Sequence, residues 1–308
     1  MSTTIFSAVG ASFFSAEIFW PYFSGIVLLV LGSAVMFRSE ALRRRGIDKV
    51  VAFAPLFTAF PMGVFGADHF VAATSIAKIV PAWMPAHLFW VYFVGVALIA
   101  AALSIAVDRY ADLAAALLGA MLFSFVLLIH IPNFAANLKD RFALAIVLRD
   151  LGFSAGAMAL ALAPRGDLQR GNVQKLVAVL RVIIGVITII FGVEHFLHPQ
   201  FVPVIPLRQP LPSWIPMQAP LAYLTGSILI VSGVSLIANR KARLVATLLG
   251  IVVFVVVMVV YLPLLVAKPF DELNYFADTL LFSGSTLALA AALPREEPAM
   301  RAVAASPA

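Results

Sequence analysis

The chain has 308 residues, of which 63% are hydrophobic and only 12% charged, with a formal net charge of +6. A soluble domain carries about 25% charged residues, and so apolar a chain cannot wet its surface in water, which excludes a soluble enzyme or binding module. There is no cysteine, so disulfides, thiolate metal sites and CxxC redox motifs are excluded as well.

Residues 1–16 contain no Lys or Arg, so the basic start of a cleaved signal peptide is lacking and the first span is expected to be retained. Nine apolar stretches of membrane-spanning length follow, at 17–37, 50–71, 86–107, 112–132, 142–163, 176–197, 219–238, 243–265 and 275–293. The connectors alternate in charge. One set, with the tail, holds fourteen basic residues: Arg38, Arg43, Arg44, Arg45, Lys49, Arg109, Arg165, Arg170, Lys175, Arg240, Lys241, Arg243, Arg295 and Arg301. The other set holds five: Lys78, Lys139, Arg141, Arg208 and Lys268. Positive connectors stay in the cytoplasm, so the N-terminus is expected outside the cell (inner) membrane and the C-terminus inside. The net charge is then a topology signal, and the expected partner is the bilayer rather than nucleic acid. The connector 198–218 carries six prolines, Pro199, Pro203, Pro206, Pro210, Pro212 and Pro216, and cannot be a regular helix. The tail 294–308, rich in Ala, Pro and Glu, is expected to be disordered.

The spans are organised by an internal repeat. Phe65-Gly66-Ala67-Asp68-His69-Phe70 returns as Phe191-Gly192-Val193-Glu194-His195-Phe196, an offset of 126. Pro81-Ala82-Trp83-Met84-Pro85 returns as Pro212-Ser213-Trp214-Ile215-Pro216, an offset of 131. The second offset also pairs Tyr92 with Tyr223, Gly95 with Gly226, Arg109 with Arg240, Gly119 with Gly250, Phe123 with Phe254 and Pro132 with Pro263. Beyond that, an offset of 128 pairs Asp150 with Asp278 and Gly156 with Gly284. The expected division is a leading helix and basic connector (1–49), a first four-helix repeat (50–163), a linker (164–175), a second repeat (176–293) and the tail. Four spans is an even number, so the repeats are parallel, related by an axis along the membrane normal. The fold class expected is all-α, two parallel four-helix membrane bundles plus one leading helix.

The Phe-Gly-x-acid-His-Phe helix end, the Pro-x-Trp-x-Pro segment and the Tyr-x-x-Gly that follows resemble the DoxX family and its wider DoxX-like group. The resemblance covers about 50–163 and 176–293, as a tandem copy. It implies a four-helix membrane bundle and an association with membrane redox enzymes that use quinones.

Ionisable groups inside membrane helices are costly and mark cavities or pathways. Here they gather toward the outer ends of the spans. One expected pocket is lined by Asp68, His69, His130 and Asp150, the other by Glu194, His195, Tyr261 and Asp278, with Trp83 and Trp214 as their rims. An acid beside a histidine can relay protons or hold a quinone carbonyl. The same residues can equally serve as interfacial anchors and bundle ties, and Trp at a headgroup level is the ordinary belt position. Gly95, Gly119, Gly226 and Gly250 read as helix contacts. Haem and metal are disfavoured because no span carries a His-x3-His pair. Three functions stay open: a quinone- or lipid-binding accessory of a membrane redox protein, an assembly partner of another membrane complex, and a small-solute or proton-coupled transporter.

Overall fold

A computed structural model describes residues 15–163, 171–201 and 211–295. The expectations for residues 1–14, for most of the tail and linker, and for Pro203, Pro206 and Pro210 lie outside these residues. Among the described residues, nine helices are long and apolar enough to cross a bilayer: α1 Ala16–Arg38, α2 Ile47–Val71, α3 His87–Ala106, α4 Ala111–Ala136, α5 Arg141–Leu162, α6 Gly171–Leu197, α7 Gln218–Ile237, α8 Ala242–Ala267 and α9 Leu273–Ala292. The fold is that of an all-helical, multi-pass membrane protein. Helix α6 begins five residues before the expected 176, so 171–175 belong to the span rather than to a linker. We call the end where α2 finishes and α3 begins the upper end.

Two four-helix sets, α2–α5 and α6–α9, show the same local devices. Left-handed backbone at non-glycine residues recurs at Ala86 and Met217, at Asp108 and Asn239, and at Tyr110 and Lys241. Each costs of order 1 kcal/mol or more, and each pair is separated by the offset of 131. A π-helical turn occupies Val126–His130 in α4 and Val257–Tyr261 in α8. Its cause is the proline two residues further on, Pro132 or Pro263, which brings no N–H to the ladder. The neighbouring amides, Ile131 and Leu262, reach back five residues to the Val126 and Val257 carbonyls, and the wider turn ends on His130 or Tyr261.

Contacts in the last helices set a different register from the 128 offset. Ser154 donates to the Gly119 carbonyl at 2.8 Å, and Ser283 donates to the Gly250 carbonyl at 2.8 Å. Gly119 faces Met158, and Gly250 faces Leu287. Both pairs are 129 apart in the last helices, so Asp278 corresponds to Arg149 and not to Asp150. The sequence matching gave only the 128 offset; the packing sets the pairs one residue further on.

The two sets interlock. Within each, neighbouring helices pack in order, but the first and last barely touch. Instead α9 lies along α2, α6 lies along α5, and α5 and α9 pack on each other. Residues 129 apart in α5 and α9 face one another, Arg149 against Asp278 and Gly156 against Ser285. Helix α9 is the most enclosed: 89% of its apolar stretch is buried, against 28% for α1. That explains why the least apolar span is tolerated. Its Thr279, Ser283, Ser285 and Thr286 all bond carbonyls inside the protein, as a polar group in a membrane must.

Helix α1 stands outside both sets and packs on α2. Gly25 lets Phe60 and Val64 approach it. The Tyr22 hydroxyl donates to the Pro269 carbonyl at 2.8 Å, tying α1 to the turn before α9.

At the lower end, Arg243 is a buried fastener rather than a connector charge. It donates to the Ala290 and Leu293 carbonyls at 2.6 and 2.9 Å and pairs with Asp48, which also meets Arg295 at 3.3 Å. One cation thus satisfies the last carbonyls of α9 and anchors the start of α2. Replacing Arg243 with Met is expected to lower stability by about 2–3 kcal/mol, the worth of hydrogen bonds to a charged group. The exposed Arg240 replaced in the same way should leave it within about 0.5 kcal/mol. Melting of the two solubilised variants side by side checks this; equal shifts would refute it.

Candidate functional site

The functional side chains of the first set meet at the upper end. His130 leaves the π-turn of α4 with its Nε2 2.8 Å from Asp150 Oδ2. Arg149, the neighbour of Asp150 on α5, donates through Nε to Asp150 Oδ1 at 2.8 Å and through Nη1 to Asp278 Oδ2 of α9 at 2.7 Å. One guanidinium therefore bridges two buried carboxylates. Arg149 lies eight residues into α5, about 12 Å along the helix. Asn274 of α9 and Asp68 of α2 line the same cavity. His69 turns its Nδ1 onto the Phe65 carbonyl at 2.7 Å. The start of α5 is fixed by Asp140, whose Oδ1 accepts from the Phe142 and Ala143 amides at 3.0 Å each, an N-cap.

Asp68, His69, His130, Arg149, Asp150, Asn274 and Asp278 supply the main polar groups lining a cavity of about 660 Å³ between α2, α3, α4 and α5, to which α9 also contributes. The rest of its wall is apolar and aromatic, including Phe65, Trp90, Phe93, Phe125 and Phe153. Its size and its few convergent polar groups are those of a small-molecule site.

All four residues expected in the first pocket, Asp68, His69, His130 and Asp150, line this cavity. Among the described residues, the four expected in the second pocket do not meet. Asp278 lines the first cavity instead. Glu194 turns to Arg141 at 3.3 Å and His198 at 3.7 Å, at a partly exposed helix end. Tyr261 is fully buried among Phe60, Val64, Leu273 and Phe276. His195 is 6% exposed, with Nδ1 on the Phe191 carbonyl and, among the described residues, no hydrogen-bond partner at Nε2. The physical reason is the interlock: Glu194 turns to the last helix of the first set, and Asp278 meets Arg149 of that same helix.

The rim assignments are also corrected. Trp83 is 69% exposed and Trp214 51% exposed, and neither lines the cavity. Trp90, one turn into α3, is the indole in the wall, its N–H held by the Pro85 carbonyl at 3.0 Å. Sequence reasoning missed Trp90 and Asn274, and Asn274 carries no signal that could have found it. Arg149, a cation inside a span, was legible as a partner for Asp150 and Asp278.

Residues 58–149 match a family model described as a domain of unknown function (DUF8561). That stretch carries Asp68, His69, His130 and Arg149. No curated protein and no solved structure matches the chain.

Proposed function

We propose that this is a DoxX-like multi-pass membrane protein, a leading helix followed by a tandem pair of four-helix units. In this reading the upper cavity holds the head of a quinone or a lipid for a partner redox protein of the cell (inner) membrane. The observation that carries it is the cavity itself: a largely apolar and aromatic wall carrying a few ionisable groups, inside a bundle where such groups are costly. An amphiphile with a polar head and an apolar body suits that division. The recurrence of the left-handed residues, the π-turns and the serine bonds supports the duplication. The basic connectors Arg38 to Arg45, Arg109 and Arg240 to Lys241 support a cytoplasmic lower end.

An assembly role is the second reading. Arg149, Asp150 and Asp278 satisfy one another, which is how a tie between helices looks.

Organic extraction and mass spectrometry of the purified protein, with an absorption spectrum, separate the two. A quinone or a single lipid species retained by the wild type and by His195→Ala, but lost in His69→Ala/His130→Ala, is the expected result. The same bulk lipid in all three samples would favour the assembly role.

A further inference from the structure

Resting on the quinone reading above, we infer that the cavity takes the reduced, hydroxyl-bearing head, a hydroquinone, in preference to the quinone. The argument is which hydrogen-bonding positions are left open. A carbonyl oxygen can only accept, so the bond to Phe65 puts the proton of the neutral His69 ring on Nδ1. Its Nε2 is then a lone pair, and among the described residues no other group bonds this ring. Asp68, as a carboxylate, adds about four acceptor positions, and it lines the cavity together with Asn274 of α9. His69 and Asp68 are adjacent and both line the cavity. The open positions of this pair are acceptors.

Donors in the same cavity are the Asn274 amide and Arg149, a guanidinium with five N–H groups, of which Nε and Nη1 hold Asp150 and Asp278. A fitting head must therefore offer O–H to Asp68 and His69 and an oxygen lone pair to Arg149. A quinone has only carbonyl oxygens and sets lone pair against lone pair at Asp68 and His69. A hydroquinone has two hydroxyls, each able to donate and to accept. Its O–H to a carboxylate is a charge-assisted bond, the stronger kind.

The test uses a benzoquinone with a decyl tail and its dithionite-reduced form, titrated anaerobically into the detergent-solubilised full chain by microscale thermophoresis. The reduced form is expected to bind about tenfold more tightly or better, the worth of one hydrogen bond to a charged acceptor. Asp68→Asn, nearly isosteric, should weaken the reduced form by a similar factor and leave the oxidised form little changed. His69→Phe should act in the same direction, and size exclusion and melting of both variants confirm that they fold. Equal affinity for the two forms, or tighter binding of the quinone, overturns the preference while leaving a quinone site standing. Binding of neither form overturns the quinone reading together with the preference.

Discussion

Replacing Arg149 with leucine is expected to cost about 3–5 kcal/mol, the usual loss when one member of a buried ion network is removed. Asp150 and Asp278 both lean on this one guanidinium, at 2.8 and 2.7 Å. Without it, Asp150 keeps His130, while Asp278 has no cation within salt-bridge distance among the described residues. Removing all the charges together, in Arg149→Leu/Asp150→Leu/Asp278→Leu, should recover much of the loss, because apolar side chains of similar size need no compensation. Denaturation of both variants in detergent provides the comparison. A single substitution costing less than about 1 kcal/mol would mean that the network is solvated through the cavity and is not a tie.

The second large effect is expected at Gly192. Helices α6 and α7 meet backbone to backbone: a methyl group built on Gly192 would lie 2.8 Å from the Gly226 carbonyl oxygen, and one on Gly226 equally near the Gly192 oxygen. A backbone oxygen cannot swing away as a side chain can, so the helices must part. Gly192→Val should lower stability by about 2–3 kcal/mol, the cost of overpacking. The same substitution at Gly171, in open space at the start of α6, should cost no more than about 1 kcal/mol. The site lies at the α6–α7 contact, away from the cavity wall, so ligand affinity in surviving Gly192→Val protein should be unchanged. Equal melting of the two variants would show that α6 and α7 are not held by close approach.

The nine spans were legible in the sequence because an apolar run of about 20 residues has few other uses. The four non-glycine helix-start positions with left-handed backbone were not, because Ala86, Tyr110, Met217 and Lys241 carry no turn signature. The first cavity was legible in part. Asp68, His69, His130 and Asp150 could be grouped because each lies near the same end of its own span. The span of origin says nothing, however, about which neighbouring helix a side chain faces. That was decided by the interlock, which carried Asp278 into the first cavity and left Glu194, His195 and Tyr261 in three separate surroundings. The one-residue difference between the 128 and 129 offsets turned an apparent Asp–Asp equivalence into an Arg–Asp pair.

That pair has a consequence for symmetry. On the duplication proposed above, Arg149 and Asp278 are matched positions of α5 and α9, and they meet at 2.7 Å. Two identical four-helix chains packed through these helices in the same way would set arginine against arginine there, or aspartate against aspartate, and repel. Joining both units in one polypeptide lets the two faces differ, so that opposite charges meet between them.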